Sequence, residues 1–176
     1  MTATLVLWLT LTAPPGDAGN TSAASEPGRV AVAPFKRALK DALVEALARS
    51  PEAAIDVCAK KAPELARTHS HDGVRVGRTS TRLRSSANAA PPWVAPLLTQ
   101  LSTASAGSDA SATVSLPDGR RGYAEAIWVQ PMCLTCHGKS LTEPVRTALA
   151  TKYPADAAQG YEAGEFRGVF WAELPR

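Results

Sequence analysis

The sequence predicts an α+β fold, and three of its features support this prediction. Apolar residues recur at every fourth position near the start of the chain, strand-like alternation surrounds a turn further along, and residues 166–174 close the chain with three aromatic side chains. A spacing near 3.6 residues is typical of helices, and alternation is typical of strands. We therefore expect an N-terminal helical pair followed by an antiparallel sheet with flanking helices.

Length and composition indicate one folded domain. The chain has 176 residues, of which 45% are hydrophobic and 20% are charged, so it can bury a core of ordinary size and needs no second domain. The net charge of +3 comes without a long run of Lys and Arg. This charge pattern disfavours nucleic acid as a partner.

The N-terminal residues are typical of an export signal. The apolar segment 5–11 has seven residues, whereas a helix needs about 20 to cross a bilayer, so no stable membrane span is expected. Gly16 and Ala18 are small residues of the kind that flank a cleavage site. We predict a signal peptide over 1–18, a flexible linker over 19–30 and a single domain over 31–176, in a periplasmic or otherwise exported protein.

Two helices are predicted at the start of the domain. The apolar face of the first helix consists of Phe35, Leu39, Leu43 and Leu47. Ser50 followed by Pro51 is typical of a helix start, so a second helix follows immediately. Its apolar stripe includes Cys58 and is interrupted by Pro63, which must kink the helix or restart it.

The remaining elements follow from alternation and from turn residues. Val74 and Val76 indicate a strand, and Pro117-Asp118-Gly119 is a suitable turn for a hairpin between segments 112–116 and 121–129. Short helices are predicted over 93–101 and 143–151, and a closing strand over 166–174.

Cys133-Leu134-Thr135-Cys136-His137 is the motif that carries chemistry. In C-x-x-C-H, two thiols add to the vinyl groups of one haem and the adjacent imidazole binds the iron. The two intervening residues let both sulfurs reach one edge of the macrocycle. The sequence therefore predicts one covalently bound haem c, with Cys133 and Cys136 as attachment sites and His137 as the proximal ligand. Export agrees with this reading, because covalent haem is added outside the bacterial cytoplasm.

Two other kinds of site use the same residue types. A thioredoxin-like redox pair places C-x-x-C at the start of a helix that follows a buried strand. A zinc site could combine Cys133, Cys136 and His137 with Cys58, His69 or His71, but zinc motifs ordinarily bring a second close pair of ligands. The haem site is therefore favoured over both.

The second axial ligand of the iron is not expected to be methionine. Met1 falls in the predicted signal peptide, and Met132 adjoins the attachment site, where the tether keeps it from reaching over the ring. The remaining candidates are Cys58, His69, His71, a lysine or water. Cys58 is preferred, although a cysteine on an apolar helix stripe commonly serves as a small core residue.

Four arginines lie close together in the segment that begins with the first predicted strand: Arg75, Arg78, Arg82 and Arg84. They could form a solvated basic face. Alternatively, Arg78 or Arg84 could pair with haem propionates, because a guanidinium group matches a carboxylate in bidentate fashion.

Four segments also carry a family resemblance. They are Ala-Ile-Asp-Val-Cys-Ala at 54–59, Gly-Arg-Thr-Ser at 77–80 with the loop 82–93, Cys-Leu-Thr-Cys-His-Gly at 133–138, and Tyr-Pro-Ala-Asp-Ala-Ala-Gln-Gly-Tyr at 153–161. Through them, residues 55–174 resemble a family of soluble and sensor-attached c-type haem proteins. The resemblance implies a PAS-like fold and iron ligation by Cys58 and His137.

The predicted function is a redox-responsive or ligand-responsive haem module, in which reduction or a gas displaces the Cys58 bond and a signalling partner reads the shift. The alternative is a small, low-potential electron-transfer cytochrome, which serves a redox partner protein and retains both axial bonds. A remote alternative is a peroxidase-like enzyme, which requires an acid/base residue such as His69 or His71 beside an open iron site. We therefore expect no enzymatic activity.

Overall fold

The computed structural model describes residues 26–176. The helices are α1 (Pro27–Arg49), α2 (Pro51–Asp56), α3 (Ala62–Thr68), α4 (Ala95–Ser102), α5 (Leu134–His137) and α6 (Glu143–Lys152), and the strands are β1 (Arg75–Thr79), β2 (Ser111–Ser115), β3 (Arg121–Trp128) and β4 (Phe166–Leu174). A π-helical segment (Val57–Lys61) joins α2 to α3, and short 3-10 turns lie at Ser86–Asn88 and Pro131–Cys133. The predicted α+β class is confirmed.

Helix α1 begins earlier than the sequence predicted. The Glu26 carboxylate accepts a hydrogen bond from the Arg29 amide at 2.8 Å, and Pro27 occupies the first turn, where a missing N–H removes no helical hydrogen bond. The predicted linker end at residue 30 is therefore wrong, because 27–30 already belong to the helix. The predicted signal peptide and the first part of that linker lie outside the described residues.

The strands form one antiparallel sheet in the order β1-β4-β3-β2. The β2–β3 pair is the predicted hairpin. Successive residues of a strand point to opposite faces, and in β4 Ala172 packs with α1 whereas Trp171 packs with α4. The two helices therefore cover opposite faces of the sheet. The PAS-like arrangement stays a prediction.

The approach of α1 to the sheet depends on a glycine. A Cβ atom added to Gly28 would lie 2.2 Å from Cβ and Cγ of Tyr123, a side chain with no exposed surface. The Tyr123 hydroxyl donates a hydrogen bond to Glu125 at 2.8 Å, and Lys36 of α1 pairs with the same carboxylate at 2.6 Å. The close approach of Gly28 to Tyr123 and the ion pair of Lys36 with Glu125 hold α1 against β3.

The second helix is capped and interrupted as predicted. The Ser50 hydroxyl accepts a hydrogen bond from the Ala53 amide at 3.1 Å and so caps α2. A proline clashes with the carbonyl group four residues before it, and the chain forms the π-helical segment ahead of Pro63 before α3 restarts. Cys58 lies in this widened turn, and such turns are frequent at functional sites.

Among residues 26–176, no helix combines the length and the hydropathy that crossing a bilayer requires.

Candidate functional site

One cavity brings together residues from most parts of the domain. Its empty volume, counted together with space that is open to solvent, is about 790 Å³. Cys58, Cys133 and His137 line it, so the structure brings the motif and the first-helix cysteine to one place. The apolar part of the cavity wall consists of Leu83, Ile127, Trp128 and Phe170.

The C-x-x-C-H segment is held by backbone hydrogen bonds to residues near Tyr161. The Tyr161 amide donates to the His137 carbonyl oxygen at 2.9 Å, and the Gly160 amide donates to the Gly138 carbonyl oxygen at 3.0 Å. A Cβ atom at Gly138 would lie 2.6 Å from the Leu134 carbonyl oxygen, so only glycine fits directly after the motif. The sequence segment that follows α6 therefore forms the support of the motif.

His137 is held in one tautomer. Its Nδ1 lies 2.6 Å from the Ala158 carbonyl oxygen, and because a carbonyl can only accept, Nδ1 carries the proton and donates. Nε2 is then the basic nitrogen. Burial, together with the positive charges of Arg84 and Arg167, lowers the pKa of His137 to about 2. The imidazole is thus neutral and presents Nε2 as a metal ligand.

The three cysteines are free thiols. Burial raises the pKa of Cys136, so this thiol keeps its proton at neutral pH. Cys133 ends a 3-10 turn and Cys136 lies in the four-residue helix α5. The neighbouring sheet is entirely antiparallel, whereas a thioredoxin-like pair belongs to a βαβ unit. These features disfavour the redox-pair alternative.

Cys58 lies where three cavities meet. It lines the cavity described above, a second cavity of about 820 Å³ beside α3, and a third of about 410 Å³ that Cys133, Cys136 and His137 also line. Tyr153 borders the first two cavities, and burial raises its pKa to about 12, so its phenol keeps its proton.

The other candidate ligands lie elsewhere. Neither His69 nor His71 lines any of these three cavities. The ring of His69 packs 6.5 Å from that of Phe35, and His71 is exposed beside Asp72. Met132 is 39% exposed and borders only the third of these cavities. Within the described part of the chain, no three His, Cys, Asp or Glu side chains converge as a zinc site requires.

The two arginines predicted to bind propionates have different surroundings. Arg84 is buried and donates to the Asp156 carboxylate at 3.1 Å and to the carbonyl oxygens of Ala158 and Cys136. Its guanidinium group is thus occupied by protein acceptors. Arg78 lines the cavity and makes no hydrogen bond or ion pair with another side chain in residues 26–176, which makes it the stronger candidate.

Sequence reasoning missed Arg167 as a site residue. It lines the cavity from β4, stacks with its guanidinium carbon 5.3 Å from the Tyr161 ring centre, and has a pKa lowered by burial. A positive charge near the start of a strand that is rich in aromatic residues was the available signal. The cavity is therefore lined by three arginines and, among the described residues, by no Asp or Glu.

These residues fit a haem group. A covalent haem with two axial ligands requires two free thiols for attachment, a neutral imidazole with an available Nε2, and one further donor, for which a third thiol is present. The apolar wall suits a macrocycle, and the excess of arginine over carboxylate suits two propionates. The hydroxyl of Thr79 is buried without a hydrogen-bond partner in the described protein and borders the same cavity.

The comparisons with known proteins agree with this fold. A family model described as Tll0287-like matches residues 19–175. This chain belongs to the Tll0287-like family. Its structure is similar to the crystal structure of the cyanobacterial heme-protein Tll0287, with a TM-score of 0.61, 23% sequence identity and coverage of 82% of this chain and 92% of that one. A search of curated proteins found no match. The resemblance to a haem-protein family noted from the sequence is confirmed.

Proposed function

We propose that this member of the Tll0287-like family carries one covalent haem c. Cys133 and Cys136 are the attachment residues, His137 is the proximal ligand and Cys58 is the distal ligand. The observation that carries the proposal is that Cys58 and the attachment motif line a single cavity in which His137 has a free Nε2. The likeness to a solved haem protein supports it.

Haem would supply an iron centre that exchanges one electron. The chain's own residues would set the reduction potential of this iron. The Cys58 thiolate would donate electron density and favour the ferric state, and the apolar wall would limit the access of water to the cavity. Arg78 and Arg167 would pair with the propionates. Because covalent haem is attached outside the bacterial cytoplasm, we propose that the protein is periplasmic or otherwise exported.

We further propose that the protein works as a redox-responsive or ligand-responsive module. Cys58 belongs to a π-helical turn and borders two further cavities, so its side chain has space to leave the first one. Movement of Cys58 away from the iron would then shift the α2–α3 segment, and a signalling partner that contacts this segment would respond to the shift. An electron-transfer cytochrome would instead keep Cys58 in place and serve a redox partner.

A peroxidase-like enzyme is the least supported alternative. The histidines that could act as acid or base, His69 and His71, do not line the cavity. We therefore propose a module without enzymatic activity.

The first test is the mass and colour of protein matured with a haem-attachment system. We expect a mass above that of the bare chain by one haem, and a low-spin ferric spin-resonance spectrum typical of thiolate ligation. Colourless protein with the mass of the bare chain would contradict the whole proposal. Cys58→Ala should lose the thiolate spectrum while it keeps the covalent haem, and an unchanged low-spin spectrum would remove Cys58 from the iron.

Carbon monoxide separates the two roles. In a responsive module, carbon monoxide binds the reduced protein and the thiolate spectrum disappears. An electron carrier retains both axial bonds and does not bind the gas.

A further inference from the structure

A buried ion pair lies behind the proximal histidine. The side chains of Arg84 and Asp156 are 7% and 3% exposed, and the closest nitrogen and oxygen atoms are 3.1 Å apart. Arg84 also donates to the carbonyl oxygen of Ala158 at 3.2 Å. The same carbonyl oxygen accepts the Nδ1–H of His137. One oxygen atom thus links the ion pair to the imidazole.

Asp156 holds this arrangement together. Its Oδ1 accepts a hydrogen bond from the Ala158 amide at 2.8 Å. Its Oδ2, which also accepts from Arg84, accepts a hydrogen bond from the Gln159 side chain at 3.0 Å. Arg84 in turn donates to the Cys136 carbonyl oxygen, so the pair contacts the motif and its support together. Because both charges are shielded from water, each acts on His137 with little screening.

We propose that Arg84 and Asp156 are positioning residues that set the donor strength of His137 through the Ala158 carbonyl. This inference rests on the proposed function, since it concerns how His137 would bind iron. A hydrogen bond from Nδ1–H to a strong acceptor makes the imidazole a better donor. Arg84 draws electron density from that acceptor and weakens the effect, whereas Asp156 offsets the charge of Arg84.

The two members of the pair therefore act in opposite directions on the reduction potential. The guanidinium charge disfavours the more positive ferric state and reduces the donor strength of His137, so Arg84 raises the potential. The carboxylate lowers it. A purely structural role would predict no such opposition, because removing either partner breaks the same ion pair.

The test measures the reduction potential of haem-loaded Arg84→Gln, Asp156→Asn and the double variant. We expect a lower potential in Arg84→Gln, a higher potential in Asp156→Asn and a value near that of the natural sequence in the double variant. Arg84→Lys keeps the charge and should restore most of the potential. Arg121→Gln is the matched control, because Arg121 is exposed and lies at the end of β3 opposite to Trp128, which borders the cavity.

Shifts of the same sign in the two single variants, or shifts no larger than that of Arg121→Gln, would overturn the inference. If Arg84→Gln does not take up haem, Arg84→Lys and Asp156→Asn still decide the question. A reduction potential that rises in Asp156→Asn but not in Arg84→Lys supports the inference. An unchanged reduction potential in Asp156→Asn refutes it. Failure of the natural sequence to take up haem would contradict the proposed function instead, so the two failures are distinguishable.

Discussion

Cys58 and His137 line the same cavity although most of the domain separates them in sequence. They are held differently. His137 is fixed by a hydrogen bond of 2.6 Å from Nδ1 to the Ala158 carbonyl oxygen, whereas Cys58 lies in a π-helical turn with cavities beside it. In the proposed haem site, one axial ligand is therefore anchored and the other has room to move.

Replacing both motif cysteines should abolish covalent attachment. We expect the Cys133→Ala/Cys136→Ala variant to release its haem into acidified organic solvent, because no thioether bond remains. Cys58→Ala is the matched control, since it removes a thiol from the same cavity and should retain the covalent haem. Mass spectrometry of the denatured proteins measures both. Equal retention in the two variants would contradict the assignment of attachment sites.

Replacing the two loop histidines should leave the iron ligation unchanged. Neither His69 nor His71 borders the cavity, so His69→Ala and His71→Ala should give the same spin-resonance spectrum as the natural sequence. His137→Ala, compared in parallel, should lose that spectrum. A changed spectrum in either loop variant would place a histidine on the iron and argue against Cys58.

Gly28→Ala should destabilise the fold. Alanine inside a helix is ordinarily favoured over glycine by about 1 kcal/mol, but here the new Cβ atom would overlap the Tyr123 side chain at 2.2 Å. Overpacking of a core costs about 1–3 kcal/mol, so the free energy of unfolding should fall. Denaturant titration measures the change, with Val30→Ala as the control because Val30 is 57% exposed in the same helix. A stabilised Gly28→Ala protein would show that α1 shifts away from the sheet at no cost.

Stability should decline in alkali through Tyr123. Burial and the hydrogen bond to Glu125 raise the pKa of Tyr123 above its ordinary value of 10.0, so the folded state keeps this proton while the unfolded state loses it. The free energy of unfolding should then fall by about 1.4 kcal/mol per pH unit above pH 10 from this group alone.

Tyr123→Phe tests this prediction, because phenylalanine fills the same space and has no proton to lose. Its free energy of unfolding should fall less steeply between pH 10 and pH 11 than that of the natural sequence, as followed by denaturant titration. Other groups titrate equally in both proteins, so the difference in slope isolates Tyr123. Parallel slopes in the two proteins would refute the prediction.

Local patterns predicted most of the secondary structure. Ser50 and Pro51 indicated the start of α2, the Pro117-Asp118-Gly119 turn indicated the β2–β3 hairpin, and β4 has the predicted bounds. These features depend on residues that are close in sequence. The start of α1 was misplaced because the Glu26 cap and Pro27 lie in a segment whose composition is that of a linker.

The surroundings of the arginines could not be read in this way. The partner of Arg84 is Asp156, and the cavity position of Arg167 depends on how β4 inserts between β1 and β3. Both are contacts between distant segments, and one sequence contains no signal for such pairings.

The sequence by itself determined the α+β class, the order of the elements, the family and the presence of two thiols and an imidazole at the spacing that haem attachment requires, because each depends on neighbouring residues. Only the tertiary structure decided that Cys58 rather than His69 or His71 borders the cavity, and that the Ala158 carbonyl fixes the tautomer of His137. Those outcomes depend on which distant segments the packing of the core brings together, and burial then sets the charge state of each group.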